Sequence, residues 1–125
     1  MKTVISAAGA PAAIGPYSHA IATGNFLFTS GQIALDPATG KLAGDSIEVQ
    51  AEQVLKNLEA VLASNNMTFA NVIKTTVFLT DLADFAVVNG IYGTRFPENP
   101  PARSCVQVAG LPGGSKIEIE LIACK

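Results

Sequence analysis

The fold of this chain is decided by residues 45–79, DSIEVQAEQVLKNLEAVLASNNMTFANVIKTTVFL, where a helical pattern is followed by a β pattern. Apolar residues in the first half recur at the i, i+3, i+4, i+7, i+11 spacing of one helical face: Ala51, Val54, Leu55, Leu58 and Leu62. Asp45, followed three residues later by Glu48, predicts the N-cap of this helix, and Asn65-Asn66 predicts its end. Val72–Leu79 is β-branched and aromatic and predicts a strand.

Further strands are predicted on both sides of this unit, over residues 3–6, 18–22, 25–29, 102–109 and 116–124. A second helix is predicted over about 84–96, with Phe85, Val88, Tyr92 and Phe96 on one face. The last two strands are joined by the glycine-rich loop Gly110–Ser115, and we expect them to pair antiparallel. This order predicts a single α+β domain, residues 1–125, in which two helices pack on one face of a mixed, largely antiparallel sheet.

Alternation along the last two strands predicts which side chains share a face. Arg103 and Cys105 alternate with Ser104, Val106 and Val108, and Glu118 and Glu120 alternate with Ile117, Ile119 and Leu121. If the apolar sets of the two strands share one face, Arg103 and Cys105 lie with Glu118 and Glu120 on the other. We expect that face to be the one that the helices leave uncovered.

The composition predicts that part of the surface is covered by another subunit. Hydrophobic residues make up 49% of the 125 residues and charged residues 14%, against about 25% charged in typical soluble domains. The net charge of −2 and the scattered basic residues argue against binding dominated by nucleic-acid phosphates. The apolar runs are too short for a membrane span, and the N-terminal stretch has no signal-peptide core, so we expect a cytosolic protein.

Several common catalytic and ligand motifs are not formed by this sequence. His19 is the single histidine and is expected to be a partly exposed strand residue; Ser18, its neighbour, would point to the opposite face, which argues against a Ser-His-Asp triad. One His with Cys105 and Cys124 does not make a zinc site, and so few cysteines do not make a disulfide framework. The Gly110–Ser115 loop lacks the Lys-Ser/Thr ending of a P-loop. We expect no metal and no dinucleotide cofactor.

Arg103 has two interpretations. It could be a surface residue or form a structural ion pair with Glu118 or Glu120, or its guanidinium fork could receive a ligand carboxylate or phosphate bidentately. Its position just after the rigid Pro100-Pro101, on the face predicted to be uncovered, favours the ligand.

At these residues the chain resembles the RidA family of reactive-intermediate (enamine/imine) deaminases. The resemblance extends along almost the whole chain, and its matching stretches are Ala13-Ile-Gly-Pro-Tyr-Ser18, Thr29-Ser-Gly-Gln32, Val72-Ile-Lys-Thr-Thr-Val-Phe-Leu79, Pro97-Glu-Asn-Pro-Pro-Ala-Arg-Ser-Cys-Val106 and Lys116-Ile-Glu-Ile-Glu120. It implies a chorismate-mutase-like fold, a homotrimer with active sites in clefts between subunits, and cofactor-free hydrolysis of 2-imino acids to 2-keto acids and ammonia. These imino acids form when PLP-dependent dehydratases act on serine or threonine.

The resemblance also implies roles for individual residues. Arg103 would bind the substrate carboxylate, and Glu118 would position the attacking water. Five further positions would line the cleft: Tyr17, Ser30, Gly31, Asn89 and Cys105. Without the resemblance, Tyr17 would be interpreted as an anchored loop aromatic, Gly31 as a turn residue with permissive backbone angles, and Asn89 as an exposed helix residue.

Cys105 and the overall activity each leave alternatives. Cys105 could be a nucleophile, but the adjacent glutamates would oppose thiolate formation, so we interpret it as a wall of the pocket. The chain could also be a small-carboxylate-binding regulatory protein without turnover, which would need Arg103 but not Glu118. A translation inhibitor with ribonuclease activity is a third hypothesis, although no basic or aromatic strip and no His pair support it.

Overall fold

A computed structural model describes all residues, 1–125. The seven strands are β1 (Thr3–Ile5), β2 (Ala20–Thr23), β3 (Phe26–Thr29), β4 (Gln32–Ile33), β5 (Val72–Leu79), β6 (Ala102–Gln107) and β7 (Ile117–Cys124). The two helices are α1 (Ile47–Ala63) and α2 (Phe85–Gly93), and three single turns of 3₁₀ helix lie at residues 69–71, 82–84 and 112–114. The predicted α+β class is therefore confirmed.

The two helices begin and end close to the predicted positions. The N-cap of α1 is Ser46 rather than Asp45, because the Ser46 hydroxyl accepts the Val49 N–H at 3.2 Å. The predicted apolar face is buried, and each fully buried leucine in it contributes roughly 2 kcal/mol. α2 ends at Gly93, before the predicted Phe96, although the Phe96 side chain is still buried in the core.

The pairing of the last two strands is not the predicted hairpin. The sheet order is β1-β2-β3-β7-β5-β6, with β4 paired to β7, so β5 lies between β6 and β7. β5 is parallel to β6 and antiparallel to β7. The prediction was wrong because it paired strands adjacent in sequence, whereas eight-residue β5 forms hydrogen bonds along both of its edges.

This order reverses the predicted face of Arg103 and Cys105. Thr75 of β5 is in register with Arg103, and Val77 is in register with Cys105. The same two β5 residues are buried against the helices, since Thr75 and Val77 are at most 1% exposed. Arg103 and Cys105 therefore lie on the helix side of the sheet, at its β6 edge.

Glu118 and Glu120 lie on the opposite face. They are in register with Phe78 and Thr76 of β5, whose side chains alternate with those of Thr75 and Val77. The predicted grouping of Arg103 and Cys105 with these two glutamates is thus wrong. The inward face of β7 is formed instead by Ile117, Ile119 and Leu121, all buried.

The sheet face opposite the helices carries several large apolar side chains that are exposed in the single chain. Val4, Phe26, Phe28 and Val106 are exposed by 59%, 42%, 43% and 44%, and the strand registers place Val4, Phe28 and Val106 on this face. Large apolar patches of this kind mark contact surfaces. Neither helix is long and apolar enough to cross a membrane.

Two buried polar side chains of α1 hold the loops that lead to the candidate site. Asn57 donates from Nδ2 to the carbonyls of Ile33 (3.1 Å) and Leu35 (3.0 Å). Gln50 accepts the Lys116 N–H at 2.8 Å through Oε1. Because unpaired backbone groups are costly when buried, these bonds fix β4 and the start of β7 against the helix.

Candidate active site

A cleft of about 350 Å³ lies between β4, the start of β7 and the loop before β2. Four of the predicted site residues line it: Tyr17, Ser30, Gly31 and Glu118. Its remaining walls are mainly apolar and include Pro11, Ile14, Ile33, Leu35 and Pro112, with His19 at one side. The cleft therefore combines one carboxylate with an apolar enclosure.

Gly31 and Glu118 are in close contact. A Cβ added at Gly31 would lie 2.7 Å from the carboxyl carbon of Glu118 and 2.9 Å from its Cγ. The Gly31 φ is not in the left-handed region, so the alternative interpretation of Gly31 as a turn glycine is wrong. Glycine is needed here because the Glu118 carboxylate occupies the space of a side chain.

Gly31→Ala is expected to lower kcat by about 10²-fold, because the added methyl displaces the Glu118 carboxylate by about an ångström. The obstructing atoms belong to a flexible side chain, so the melting temperature should stay near that of the wild type. Gly93→Ala is the matched control, since a Cβ at Gly93 meets nothing within 4 Å. Steady-state kinetics and thermal melts of both variants test this; full activity in Gly31→Ala would contradict it.

The Glu118 carboxylate has the properties of a base. Burial raises the pKa of Glu118 above its ordinary value of about 4.5, and the neighbouring Glu120 raises it further. The single ion pair of the chain joins Arg95 and Glu52, so no cation neutralises Glu118 within the subunit. A carboxylate whose pKa is raised toward the working pH is a better proton acceptor.

Ser30 and Tyr17 form another wall of the cleft. The Ser30 hydroxyl donates to the Ser18 carbonyl at 2.6 Å, and the Ser30 N–H donates to the His19 carbonyl at 2.9 Å. Both bonds hold the segment directly after Tyr17. The Tyr17 hydroxyl accepts the Ile14 N–H at 3.4 Å, and its ring is 47% exposed.

The other three predicted residues form a second cluster, on the helix side of the sheet. Arg103 donates from Nη1 to Asn89 Oδ1 at 2.7 Å, so Asn89 is not merely an exposed helix residue. The Arg103 guanidinium carbon lies 5.3 Å from the ring centroid of Phe85 and 4.9 Å from that of Tyr92. The structural ion pair considered for Arg103 is absent, and its partners are a neutral amide and two aromatic rings.

Phe85 and Tyr92 contact Arg103, although their spacing predicted only a place on the core face of the helix. Their spacing with Asn89, at i, i+4 and i+7, could have indicated a shared surface. The Tyr92 hydroxyl forms a 2.7 Å hydrogen bond with the Thr75 hydroxyl, which fixes the ring under the guanidinium. Cation–π contacts and a single amide partner orient Arg103, and no carboxylate of the chain pairs with its charge.

Cys105 lies beside Arg103 but is not activated. Burial raises the pKa of the Cys105 thiol, and the Arg103 charge only partly opposes this. The glutamates expected to oppose thiolate formation lie on the other face of the sheet, so burial is the cause instead. A thiol of this kind is a poor nucleophile at neutral pH.

Cys105→Ser is expected to retain wild-type kcat/KM within about threefold, because a half-buried neutral thiol is replaced by a similar group that keeps the backbone in place. Kinetics of the variant, with a circular dichroism spectrum to verify folding, check this result. A folded Cys105→Ser protein without activity would identify the thiol as a nucleophile.

The seven predicted residues thus form two clusters in one chain. Tyr17, Ser30, Gly31 and Glu118 surround the cleft, whereas Asn89, Arg103 and Cys105 lie across the sheet from them. One cluster holds a base without a cation, and the other holds a cation without an anion. No three His, Cys, Asp or Glu side chains come together in a group that could hold a metal ion.

Comparison with known proteins identifies the family. Residues 7–125 match the family model described as endoribonuclease L-PSP. The chain is 52% identical, over 98% of its length and 65% of the relative's, to reactive intermediate deaminase A, chloroplastic, of Arabidopsis thaliana. It is 50% identical to 2-iminobutanoate/2-iminopropanoate deaminase of Rattus norvegicus, over 98% of this chain and 90% of that protein. This chain belongs to the RidA family.

The fold agrees with this assignment to the RidA family. The crystal structure of E. coli TdcF with bound serine superimposes with a TM-score of 0.93 at 41% identity, covering 98% of each chain. The resemblance noted from the sequence motifs is therefore confirmed over residues 7–125.

Proposed function

We propose that this chain is a 2-iminobutanoate/2-iminopropanoate deaminase, which hydrolyses reactive imines from PLP-dependent dehydratases to 2-keto acids and ammonia. The observation that carries the proposal is the Glu118 carboxylate, which has a raised pKa and no cationic partner and lies against Gly31 in an apolar cleft. Relatives about 50% identical bear this activity in their names.

We further propose that the site is completed between copies of the chain in a homotrimer. In one subunit Arg103 and Glu118 are on opposite faces of the sheet, and a small imino acid cannot contact both. The open apolar face with Phe28 and Val106 supplies a surface on which copies can pack. Bringing the Arg103 edge of one subunit to the Glu118 cleft of another pairs the unneutralised cation with the unneutralised base.

The reaction requires no covalent nucleophile. Arg103 binds the substrate carboxylate with its guanidinium fork, and a backbone N–H near Gly31 helps to fix the plane of the imine. Glu118 orients a water toward C2 and accepts its proton as the new C–O bond forms. Glu118 returns this proton to the nitrogen, which gives a carbinolamine. The carbinolamine hydroxyl then passes its own proton to the nitrogen through Glu118, so that the C–N bond breaks, the C2 carbonyl forms, and ammonia leaves with the 2-keto acid as the other product.

The direct test couples the protein to a threonine or serine dehydratase and follows loss of the imine. The wild-type protein should accelerate this loss well beyond the uncatalysed rate, in proportion to enzyme concentration. No acceleration would contradict the proposed function. Size measurement in solution tests the trimer separately. We also propose that the protein acts in the cytoplasm.

Two other functions remain as alternatives. The Arg103 cluster alone would suit a small-carboxylate-binding protein without turnover, which Glu118→Gln distinguishes because a binder does not need the base. The name of the matched family model suggests an endoribonuclease, but the net charge of −2 does not favour RNA binding. RNA cleavage that survives high salt and depends on Arg103 would support the ribonuclease alternative.

A further inference from the structure

We infer that His19 is a positioning residue for this reaction: its side chain holds in place the segment 7–17, which forms one wall of the Glu118 cleft, and thereby sets substrate affinity. The inference rests on the proposed function. His19 was expected to be a partly exposed strand residue, but it precedes β2 and is only 7% exposed. Its ring borders the cleft together with Tyr17 and Glu118.

Both ring nitrogens of His19 bind the backbone of one loop. Nδ1 accepts the Ala7 N–H at 2.9 Å, and Nε2 lies 2.7 Å from the Pro11 carbonyl oxygen. Because an amide N–H only donates and a carbonyl only accepts, Nε2 carries the proton. The His19 ring therefore forms hydrogen bonds with both ends of the turn at residues 7–11. Within this turn the Ala10 N–H donates to the Ala7 carbonyl at 3.2 Å.

These two bonds are the hydrogen bonds that join residues 7–17 to the rest of the chain. The others formed by this segment are internal: Ala10 N–H to Ala7, Tyr17 N–H to Gly15, and Ile14 N–H to the Tyr17 hydroxyl. The segment supplies Pro11, Ala12, Ile14 and Tyr17 to the cleft. Four of the residues that line the cleft thus depend on the His19 ring for the polar attachment of their segment.

The base on the other side of the cleft is held independently. Glu118 is on β7, which is paired with β4 and β5, and Gln50 and Asn57 fix the adjoining loops. Loss of the His19 bonds should therefore loosen the substrate-binding wall and leave the base in place. This predicts an effect on KM rather than on kcat.

The test compares His19→Leu, which removes both hydrogen bonds, with His19→Gln, which retains one donor and one acceptor. We expect His19→Leu to raise KM about tenfold, equivalent to about 1.4 kcal/mol of binding, with kcat within about threefold of wild type. His19→Gln should restore KM to within about threefold. A wild-type KM in His19→Leu, or no rescue by His19→Gln, would overturn the inference, because a merely stabilising role would not change KM of the folded protein.

Two further measurements separate the possible failures. Amide exchange at residues 7–16 should accelerate in His19→Leu and not in His19→Gln, whether or not the protein hydrolyses imines; unchanged exchange overturns the inference. Wild type without imine hydrolysis would instead refute the proposed function.

In a Tyr17→Ala background, His19→Leu should raise KM by less than about twofold, since both changes act on the same wall of the cleft. If His19→Leu does not fold, His19→Met fills the ring space without the two bonds and takes its place.

Discussion

Glu118→Gln is expected to lower kcat for imine hydrolysis by about 10²–10⁴-fold, because an amide has the shape of the carboxylate but cannot accept the proton of the attacking water. Binding of a small carboxylate should remain, since Arg103 is unchanged. Steady-state kinetics in the dehydratase-coupled assay and calorimetric binding of a 2-keto acid measure the two effects. Glu120→Gln is the matched control on the same face of β7, and it should retain kcat within a few-fold.

The raised pKa of Glu118 determines the acid side of the pH profile. Activity should fall as pH decreases through this raised pKa, at a higher pH than an ordinary glutamate would give. In Glu120→Gln this acid limb should move to lower pH, because the neighbouring charge that raises the Glu118 pKa is removed. Full kcat in Glu118→Gln would contradict the assignment of Glu118 as the base, whereas an acid limb independent of Glu120 would leave burial as the one cause of the raised pKa.

The same pKa shift predicts that Glu118→Gln does not lose stability. The folded-state pKa is above the unfolded value, so the unfolding free energy is highest below the unfolded pKa and falls as pH rises through the folded pKa. A glutamine at this position does not ionise, so the variant does not lose this part of the unfolding free energy. At neutral pH the variant should therefore melt at or above the wild-type temperature, which separates a catalytic defect from a folding defect.

Arg103→Ala is expected to lower kcat/KM by about 10²-fold or more, mainly through KM, because a desolvated carboxylate loses its charged partner. Arg103→Lys should recover only part of this, since an ammonium keeps the charge but not the bidentate fork. The 2-keto acid that still binds Glu118→Gln should no longer bind Arg103→Ala. Wild-type kinetics in Arg103→Ala would refute the carboxylate-binding role.

Mixing the two inactive variants tests whether the site lies between subunits. If each site takes Arg103 from one copy and Glu118 from another, randomly mixed trimers of Arg103→Ala and Glu118→Gln contain an intact pair in about one quarter of their sites. Co-refolding equal amounts should thus restore about one quarter of wild-type activity. Mixing Glu118→Gln with the double variant is the control and should restore none. A mixture of the two single variants that stays inactive would indicate that one chain forms the whole site.

Most local structure could be predicted from the sequence. The α1 face follows from the spacing of Val54, Leu55 and Leu58, and β5 from a run of β-branched residues, because both patterns depend only on near neighbours. The N-cap was misplaced by one residue, since Asp45 and Ser46 are both good capping residues. The family motifs named the seven predicted site residues. They did not indicate Phe85 and Tyr92, whose contact with Arg103 depends on how α2 packs over β6.

By itself the sequence determined an α+β fold, its helices and strands, and the chemistry of its candidate site residues, because periodicity and residue type are local properties. Only the tertiary structure decided that Arg103 and Glu118 lie on opposite faces. Alternation defines two faces within each strand, but the faces of two strands are related only through the strand between them, and that strand is β5, distant in sequence. Arg103 is in register with Thr75 and lies on the helix side, whereas Glu118 is in register with Phe78 and lies on the opposite side. Within a single chain the sheet therefore separates the cation from the carboxylate.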